Sequence, residues 1–313
     1  MSGQQTPKQA RVIDPILSNV ARAYKNAAHV LQRLFPVVPV VARGGQVIKF
    51  TKDSFRRYNT RRAPGADTKR LQVGYGAEPF ALVQDSLEAL TPVELQQESA
   101  TIDIDLRSQA VMTVMDSLML GTEYTRAQLA TTLASFGAGN KIALAGVDQW
   151  SDPSVNLKDQ IDVGRENVRK GIGSKPNILT MSPGAYLAAQ NNDRIRDQFK
   201  YTGRDSVTMQ MLAQYFQVDE VLVPEAVSLP EGAAETDDFE DVWGNFVLLA
   251  HVPSSVRGMH VPSFGYTYRL VNYPLVEQSY YDNRAKSDVS PVTLEEQAYL
   301  TAPEAGYIFS NVI

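Results

Sequence analysis

The stretch from Lys49 to Arg70, "KFTKDSFRRYNTRRAPGADTKR", sets eight cations (Lys49, Lys52, Arg56, Arg57, Arg61, Arg62, Lys69, Arg70) against two acids, Asp53 and Asp67. The 313-residue chain around it is acidic, with a net charge of −5. Its flanks say what carries it. Before it, "GQVIKFT" alternates Ile48 and Phe50 against Lys49 and Thr51, a half-exposed strand. Pro64-Gly65 marks a turn within the cationic segment, and alternation returns after it in "LQVGY" (71–75) and "FALVQ" (80–84). Two strands joined through a basic, polar tip make a long hairpin. That tip has too few apolar residues to pack on its own body, so it is expected to project.

Nucleic acid is one partner for such a hairpin, since eight cations release counterions on meeting phosphate. However, Phe50, Phe55 and Tyr58 form no recognisable stacking platform, and no nucleic-acid-binding motif surrounds them. The same chain also carries an opposite patch. "VDEVLVPEAVSLPEGAAETDDFED" (218–241) holds nine acids and no base. Opposite charges on separate elements suit head-to-tail self-association, because complementary fields steer encounter and fix register. Lys52, Arg56, Arg57, Arg61, Arg62, Lys69 and Arg70 are therefore candidate contacts to another copy, with Asp237, Asp238, Glu240 and Asp241 as the acidic counterpart. A solvated charged loop is the plain alternative.

Towards the N-terminus, "DPILSNVARAYKN" offers Ile16, Leu17, Val20 and Tyr24 as a short helical stripe. "LFPVVPVV" carries Pro36 and Pro39, which forbid a helix and favour extended backbone. An arm lying on something else, or a flexible terminus, fits this region equally. Beyond the hairpin, Thr91-Pro92 reads as a helix cap with a first-turn proline. Val111, Val114, Met115 and Leu118 then form a stripe that Leu129, Leu133 and Phe136 continue past Gly121. The span from about Asp103 to Phe136 is one long helix or two nearly collinear ones, with Met112, Met115 and Met119 as core filler. Elements then alternate: a helix in "DQIDVGRENVRK" ending at Gly171, a strand in "NILTM", a helix opened by Ser182-Pro183, a helix in "TMQMLAQYF" and a strand in "VDEVLVP". This is a compact α/β subdomain from about 160 to 252. After Pro253, "FGYTYRL", "EQSYYD" and "GYIFSNV" read as strands returning to complete a sheet.

Chemistry is scarce. There is no cysteine, which excludes a disulfide framework and thiolate metal sites and fits a reducing compartment. The N-terminus lacks an apolar stretch suited to a signal peptide, and no window reaches the roughly 20 apolar residues of a membrane span. No GxSxG, phosphate loop or HExxH is present. "GAGN" (137–140) follows a helix and reads as its stop. His251 and His260 match no common zinc spacing, and Asp103 and Asp105 in "TIDIDL" read as strand-edge acids rather than a catalytic pair. No enzyme activity, cofactor or metal is expected.

The order of these features resembles the major capsid (head) proteins of tailed bacteriophages, which share the Hong Kong 97-type fold. The resemblance rests on several stretches in collinear order from about residue 30 to the C-terminus. They are "LFPVVPVVARGGQVIKFTKDSFRR", "GAGNKIALAGVDQWSDPSVNLKDQI", "KPNILTMSPGAYLAAQNNDRIRDQFKYTG", "LAQYFQVDEVLVPEA", "WGNFVLLAHVP" and "YYDNRAKSDVSPVTLEEQAYLTAPEAGYIFSNVI". It implies an α+β fold in five parts. These are an N-terminal arm (1–45), an extended hairpin loop (46–83), a peripheral domain with a long spine helix (84–158), an axial α/β domain (159–252) and a return to the peripheral sheet (253–313). It implies a shell of hexamers and pentamers around double-stranded DNA held non-specifically on the inner face. Portal and scaffolding or decoration proteins would be partners, no membrane would be involved, and assembly would occur in the bacterial host cytoplasm. An encapsulin-like compartment shell is the nearest alternative, and a basic-armed DNA-binding protein a more distant one.

Overall fold

The computed structural model of the protein describes residues 13–24, 29–49, 61, 76–99, 105–200, 207–230, 232–234, 236–253 and 262–313. Helix α1 (Pro15–Ala23) and a single turn, α2 (Leu31–Leu34), precede strand β1 (Val37–Val40). Strands β2 (Gly44–Lys49) and β3 (Gly76–Ala81) pair antiparallel from Gly44↔Ala81 to Lys49↔Gly76. This is the base of the expected hairpin; "LQVGY" lies outside the described residues. Strand β4 (Val83–Pro92), helix α3 (Val93–Ser99) and the long helix α4 (Leu106–Thr131) follow. Next come β5 (Lys141–Ala143), α5 (Leu157–Ile172), β6 (Ile178–Met181), α6 (Pro183–Asn191), α7 (Asp193–Phe199), α8 (Met209–Phe216) and β7 (Glu220–Leu222). The short ribbon β8 (Val227–Ser228) and β9 (Glu240–Asp241) leads to β10 (Phe246–Ala250). The chain closes with β11 (Gly265–Leu270), β12 (Leu275–Val276), β13 (Tyr280–Asp282), β14 (Ser287–Leu300) and β15 (Gly306–Ser310).

Two sheets organise these elements. One has six strands, in the order β1-β11-β14-β12, with β13 and β4 also paired to β14. The other has five, in the order β5-β15-β10-β6-β7. Strand β15, expected among the strands returning to the peripheral sheet, therefore joins the five-stranded one, and so does β5. The driving term is burial: Tyr307, Ile308 and Phe309 are buried with Val247, Leu248 and Leu249 in the large core that α5, α6 and α8 cover.

The centre of the six-stranded sheet is β14, a 14-residue strand that the pattern reading misses. Pro291 stands in its middle, a residue that argues against a central strand. It is tolerated because β13 pairs as far as Val289 and β12 begins at Val292, leaving a break at Pro291. The Pro291 carbonyl accepts from Glu277 N–H at 2.9 Å on that side, so the absent N–H also faces the break.

Helix α4 runs unbroken through Gly121 but stops at Thr131, short of Phe136; Leu133 falls in a 3₁₀ turn and is exposed. Val111, Met115 and Leu118 pack with Leu17 and Ala21 of α1 and with Val276, Val292 and Leu294 of the sheet. Of the three methionines, Met115 is buried, Met119 is partly buried and Met112 is exposed. The buried face of α1 is Leu17, Ser18 and Ala21, and Ile16 points to solvent. Thr91 and Pro92 end β4, and helix α3 begins directly after them at Val93, where the sequence places a helix start; α5 stops at Gly173 (φ 73°), not Gly171. Ser182 and Thr208 cap α6 and α8, accepting from the N–H groups of Ala185 and Met211.

Asp103 lies outside the described residues, and Asp105 is the N-cap of α4, accepting from Ser108 N–H at 3.2 Å. Asp105→Ala is expected to lower subunit stability by about 1 kcal/mol in urea unfolding. The Ser108 hydroxyl and N–H hold the Asp105 carboxyl below the usual carboxylate range. The cap is thus complete above the ordinary carboxylate pKa and is lost as pH falls through the depressed value.

Candidate assembly surface

The hairpin is fixed at its base. Val47 of β2 and Phe80 of β3 are buried against Val38, Val40, Tyr266 and Tyr268 of the six-stranded sheet. The Phe80 ring stacks on Tyr268 with centroids 4.8 Å apart. Gly45 leaves room for that ring, since a Cβ there would stand 2.6 Å from Phe80 Cε1. Between the strands and the sheet, Arg43 forms a two-pronged pair with Glu295 at 2.8 and 2.9 Å. The Tyr299 hydroxyl accepts from Ala81 N–H at 3.1 Å and donates to Ala81 O at 3.0 Å. The two strands that flank the basic segment are thus fixed on the six-stranded sheet.

Of the seven candidate contact cations, Arg61 is exposed, and Lys52, Arg56, Arg57, Arg62, Lys69 and Arg70 lie outside the described residues. The four candidate acids are all exposed on or next to the β8–β9 ribbon, which pairs Val227↔Asp241 and Ser228↔Glu240. Asp237 turns one carboxylate oxygen back to Ala234 N–H at 2.8 Å. Phe239, in the middle of these acids, is 70% exposed. Another acid of the stretch is already used: Glu220 pairs with Arg33 at 2.5 Å.

The charges that pattern reading misses are buried. Arg126 of α4 is paired with Glu296 of β14, whose other oxygen accepts from Arg269 Nε of β11 at 2.5 Å. One turn earlier on α4, Glu123 accepts from the Trp243 indole N–H at 3.1 Å. Trp243 stacks on Phe246 of the five-stranded sheet. The long helix is thereby tied by charge and hydrogen bond to both sheets. Burial pushes the Arg126 guanidinium down from its ordinary range, opposed by the Glu296 carboxylate. The signal was present in the sequence: Glu123 and Arg126 continue the apolar stripe of Met115 and Leu118 at helical spacing, where charge is out of place.

The remaining candidates have structural partners. His251 Nδ1 lies 2.8 Å from Lys175 O, and His260 is outside the described residues. Asn140, of the "GAGN" stretch, donates to Glu304 O and Gly306 O at 3.2 and 2.8 Å, binding the helix exit to the start of β15.

No protein-family model matches the chain. A major capsid protein of Burkholderia phage BcepMu is 32% identical over 307 residues, covering 96% of this chain and 97% of the relative. The crystal structure of a phage-related protein from Bordetella bronchiseptica RB50 superposes with a TM-score of 0.82 at 37% identity, covering 97% of this chain and 98% of that one. Two more distant structures share the fold. An encapsulin complex from Synechococcus elongatus PCC 7942 gives 0.57 at 16% identity over 96% of this chain and 95% of its own. The capsid of cyanophage P-SCSP1u gives 0.56 at 10% identity over 92% of this chain and 89% of its own.

Proposed function

This chain belongs to the phage major capsid protein family, and on that premise we propose that copies of it self-assemble into the icosahedral shell of a tailed phage around double-stranded DNA. Its role is structural, and no residue is assigned to catalysis. The full-length match to the Burkholderia phage capsid protein carries this reading, and the α+β Hong Kong 97-type fold agrees with it.

In this reading the two-sheet body supplies the tile. Residues 84–158 and most of 253–313 act as the peripheral domain and 159–252 as the axial domain, with β5 and β15 contributed to the axial sheet. Residues 1–45 and 46–83 act as arm and loop between copies in hexamers and pentamers. The loop cations meet acids on a neighbour, the ribbon acids Asp237, Asp238, Glu240 and Asp241 being the exposed counterpart. Each exposed pair contributes only about 0–1 kcal/mol. Repetition over the shell makes the sum large, while each contact stays weak enough to reverse and correct. Portal and scaffolding or decoration proteins are partners of the shell, packaged DNA lies on the inner face without sequence preference, and assembly takes place in the host cytoplasm.

Electron microscopy of the purified protein tests the reading: uniform closed icosahedral particles are expected. Particles from infected cells should contain DNA; a protein cargo in its place would favour a compartment shell. Subunits that stay unassembled over a wide range of concentration and salt would overturn the proposal.

A further inference from the structure

The chain passes between the two sheets three times, from α4 to β5, from β10 to β11 and from β14 to β15. These crossings meet at one ring. Phe264, fully buried just before β11, has its centroid 5.9 Å from that of Phe136 in the first crossing. It also presses on Gly306 at the head of β15, where a Cβ would stand 2.5 Å from Phe264 Cε2. Hydrogen bonds close the same hub. Thr301 N–H donates to Phe264 O at 3.1 Å, and Phe264 N–H donates to His251 O at 2.9 Å. The Thr301 hydroxyl donates to Ser263 O at 2.7 Å.

A further stretch, residues 33–40, spans the hub without being needed to connect the sheets. Arg33 grips Glu220 of β7, in the five-stranded sheet, through Nε at 3.1 Å and Nη2 at 2.5 Å. Two positions on, the Phe35 ring packs 5.8 Å from Phe264, and a Cβ on Gly265 would collide with it. The Phe35 carbonyl accepts from the Thr267 hydroxyl at 3.2 Å, and Val37–Val40 pair with β11 of the six-stranded sheet. One short segment thus holds both sheets and fills the space at their pivot. The packing beside it is open. A cavity of about 300 Å³ lies between Arg33 and Met119, Thr122 and Glu123 of α4. A cleft of about 630 Å³ lies between Arg33 and the edge formed by α8 and β7. Close-packed side chains resist displacement, whereas empty space beside a contact does not. On this side the segment itself, rather than continuous packing, is left to hold the sheets at their angle.

We propose that residues 33–40 are a strap that sets the angle between the two sheets, with Phe35 as its wedge, and so selects the curvature of the tile and the diameter of the shell. This rests on the shell reading above and gives the end of the arm a role within its own copy. Repeated contacts close only when the rotation per copy is right, so a small change of angle alters how many copies complete the surface. The chemistry suits an adjustable setting. Arg33 is exposed, and an exposed ion pair shifts a population by a factor of about five or less. The Phe35 ring sits on glycine backbone, where no side chain interlocks with it.

Because the chain has no cysteine, spin labels on Val41→Cys and Leu187→Cys, both exposed, report the distance between a residue beside β1 and one on α6. Pulsed dipolar spectroscopy on dilute, unassembled subunits reads it. One narrow distance is expected in the parent. Phe35→Leu, and to a smaller extent Arg33→Ala, should broaden the distribution about twofold or add a second distance. Without labels, the same variants should assemble into shells of more than one diameter, the fraction outside the parent's size class rising about fivefold. Val111→Ala, in the separate cluster beneath α1, loses stability away from the hub and should move neither readout. Arg33→Ala changes an exposed side chain and keeps the test decisive if Phe35→Leu does not fold. Unchanged distances or unchanged diameters in both variants, or equal changes in Val111→Ala, would overturn the strap while leaving the shell reading intact. Parent chains that form no closed particles would overturn the shell reading and the claim on diameter, and the subunit distances would still decide the claim on angle.

Discussion

Glu296→Gln is expected to lower the stability of the unassembled subunit by about 3–5 kcal/mol, the range for removing one partner of a buried ion pair. The carboxylate of Glu296 serves two guanidiniums, Arg126 and Arg269, with side-chain exposures of 6% and 19%. Without it, Arg126 keeps its charge in a site whose burial already depresses its pKa. Arginine cannot escape the cost by deprotonating near neutral pH. Arg126→Met should cost far less: it removes the most buried charge, fills the space with an apolar chain and leaves Glu296 bonded to Arg269. Chemical unfolding at low protein concentration, where subunits stay apart, measures both. Equal costs for the two variants, or less than about 1 kcal/mol for Glu296→Gln, would show that the network is not electrostatically coupled as described.

Reversing two loop charges, Arg61→Glu with Arg62→Glu, is expected to reduce shell yield by about tenfold or more at 0.1 M salt, where the Debye length is about 10 Å. The change in subunit melting should be small, because Arg61 is exposed and an exposed ion pair contributes only about 0–1 kcal/mol. In the head-to-tail contact proposed above every copy would carry both sides, so adding Asp237→Lys and Asp238→Lys to the same chain should restore part of the yield. High salt should narrow the difference between all three proteins. Particle counts by light scattering and microscopy over a salt series provide the measurement. An unchanged yield for the doubly reversed chain at every salt concentration would exclude the loop cations from assembly.

These two experiments probe different kinds of charge, and that difference explains what could be read in advance. The loop cations and ribbon acids are runs, visible as composition. Glu123, Arg126, Glu295 and Glu296 are isolated letters whose meaning depends on burial. In the sequence, "TLEEQAY" has no strand alternation; in the fold, Thr293, Leu294, Glu295 and Glu296 are all buried, because β14 is covered on both faces. The same central position hid the strand behind Pro291, whose missing donor matters only if a neighbour faces it.

Local signals were legible wherever the physics is local. Ser182-Pro183 opens α6, "GQVIK" makes β2, with Val47, outside the alternating pair Ile48 and Phe50, as its buried residue among those described, and the spacing of Val111, Met115 and Leu118 makes α4, since caps, extended runs and helical stripes involve residues a few positions apart. The sequence by itself therefore determined many of the elements, the base of the hairpin and the charge asymmetry that suits self-association. Only the tertiary structure decided which sheet Gly306–Ser310 joins and which charges are buried as a tie between the long helix and both sheets. Those outcomes depend on contacts between residues up to about 170 positions apart, as between Arg126 and Glu296. The free energy of such contacts comes from removing both partners from water together, and no single stretch of chain encodes that.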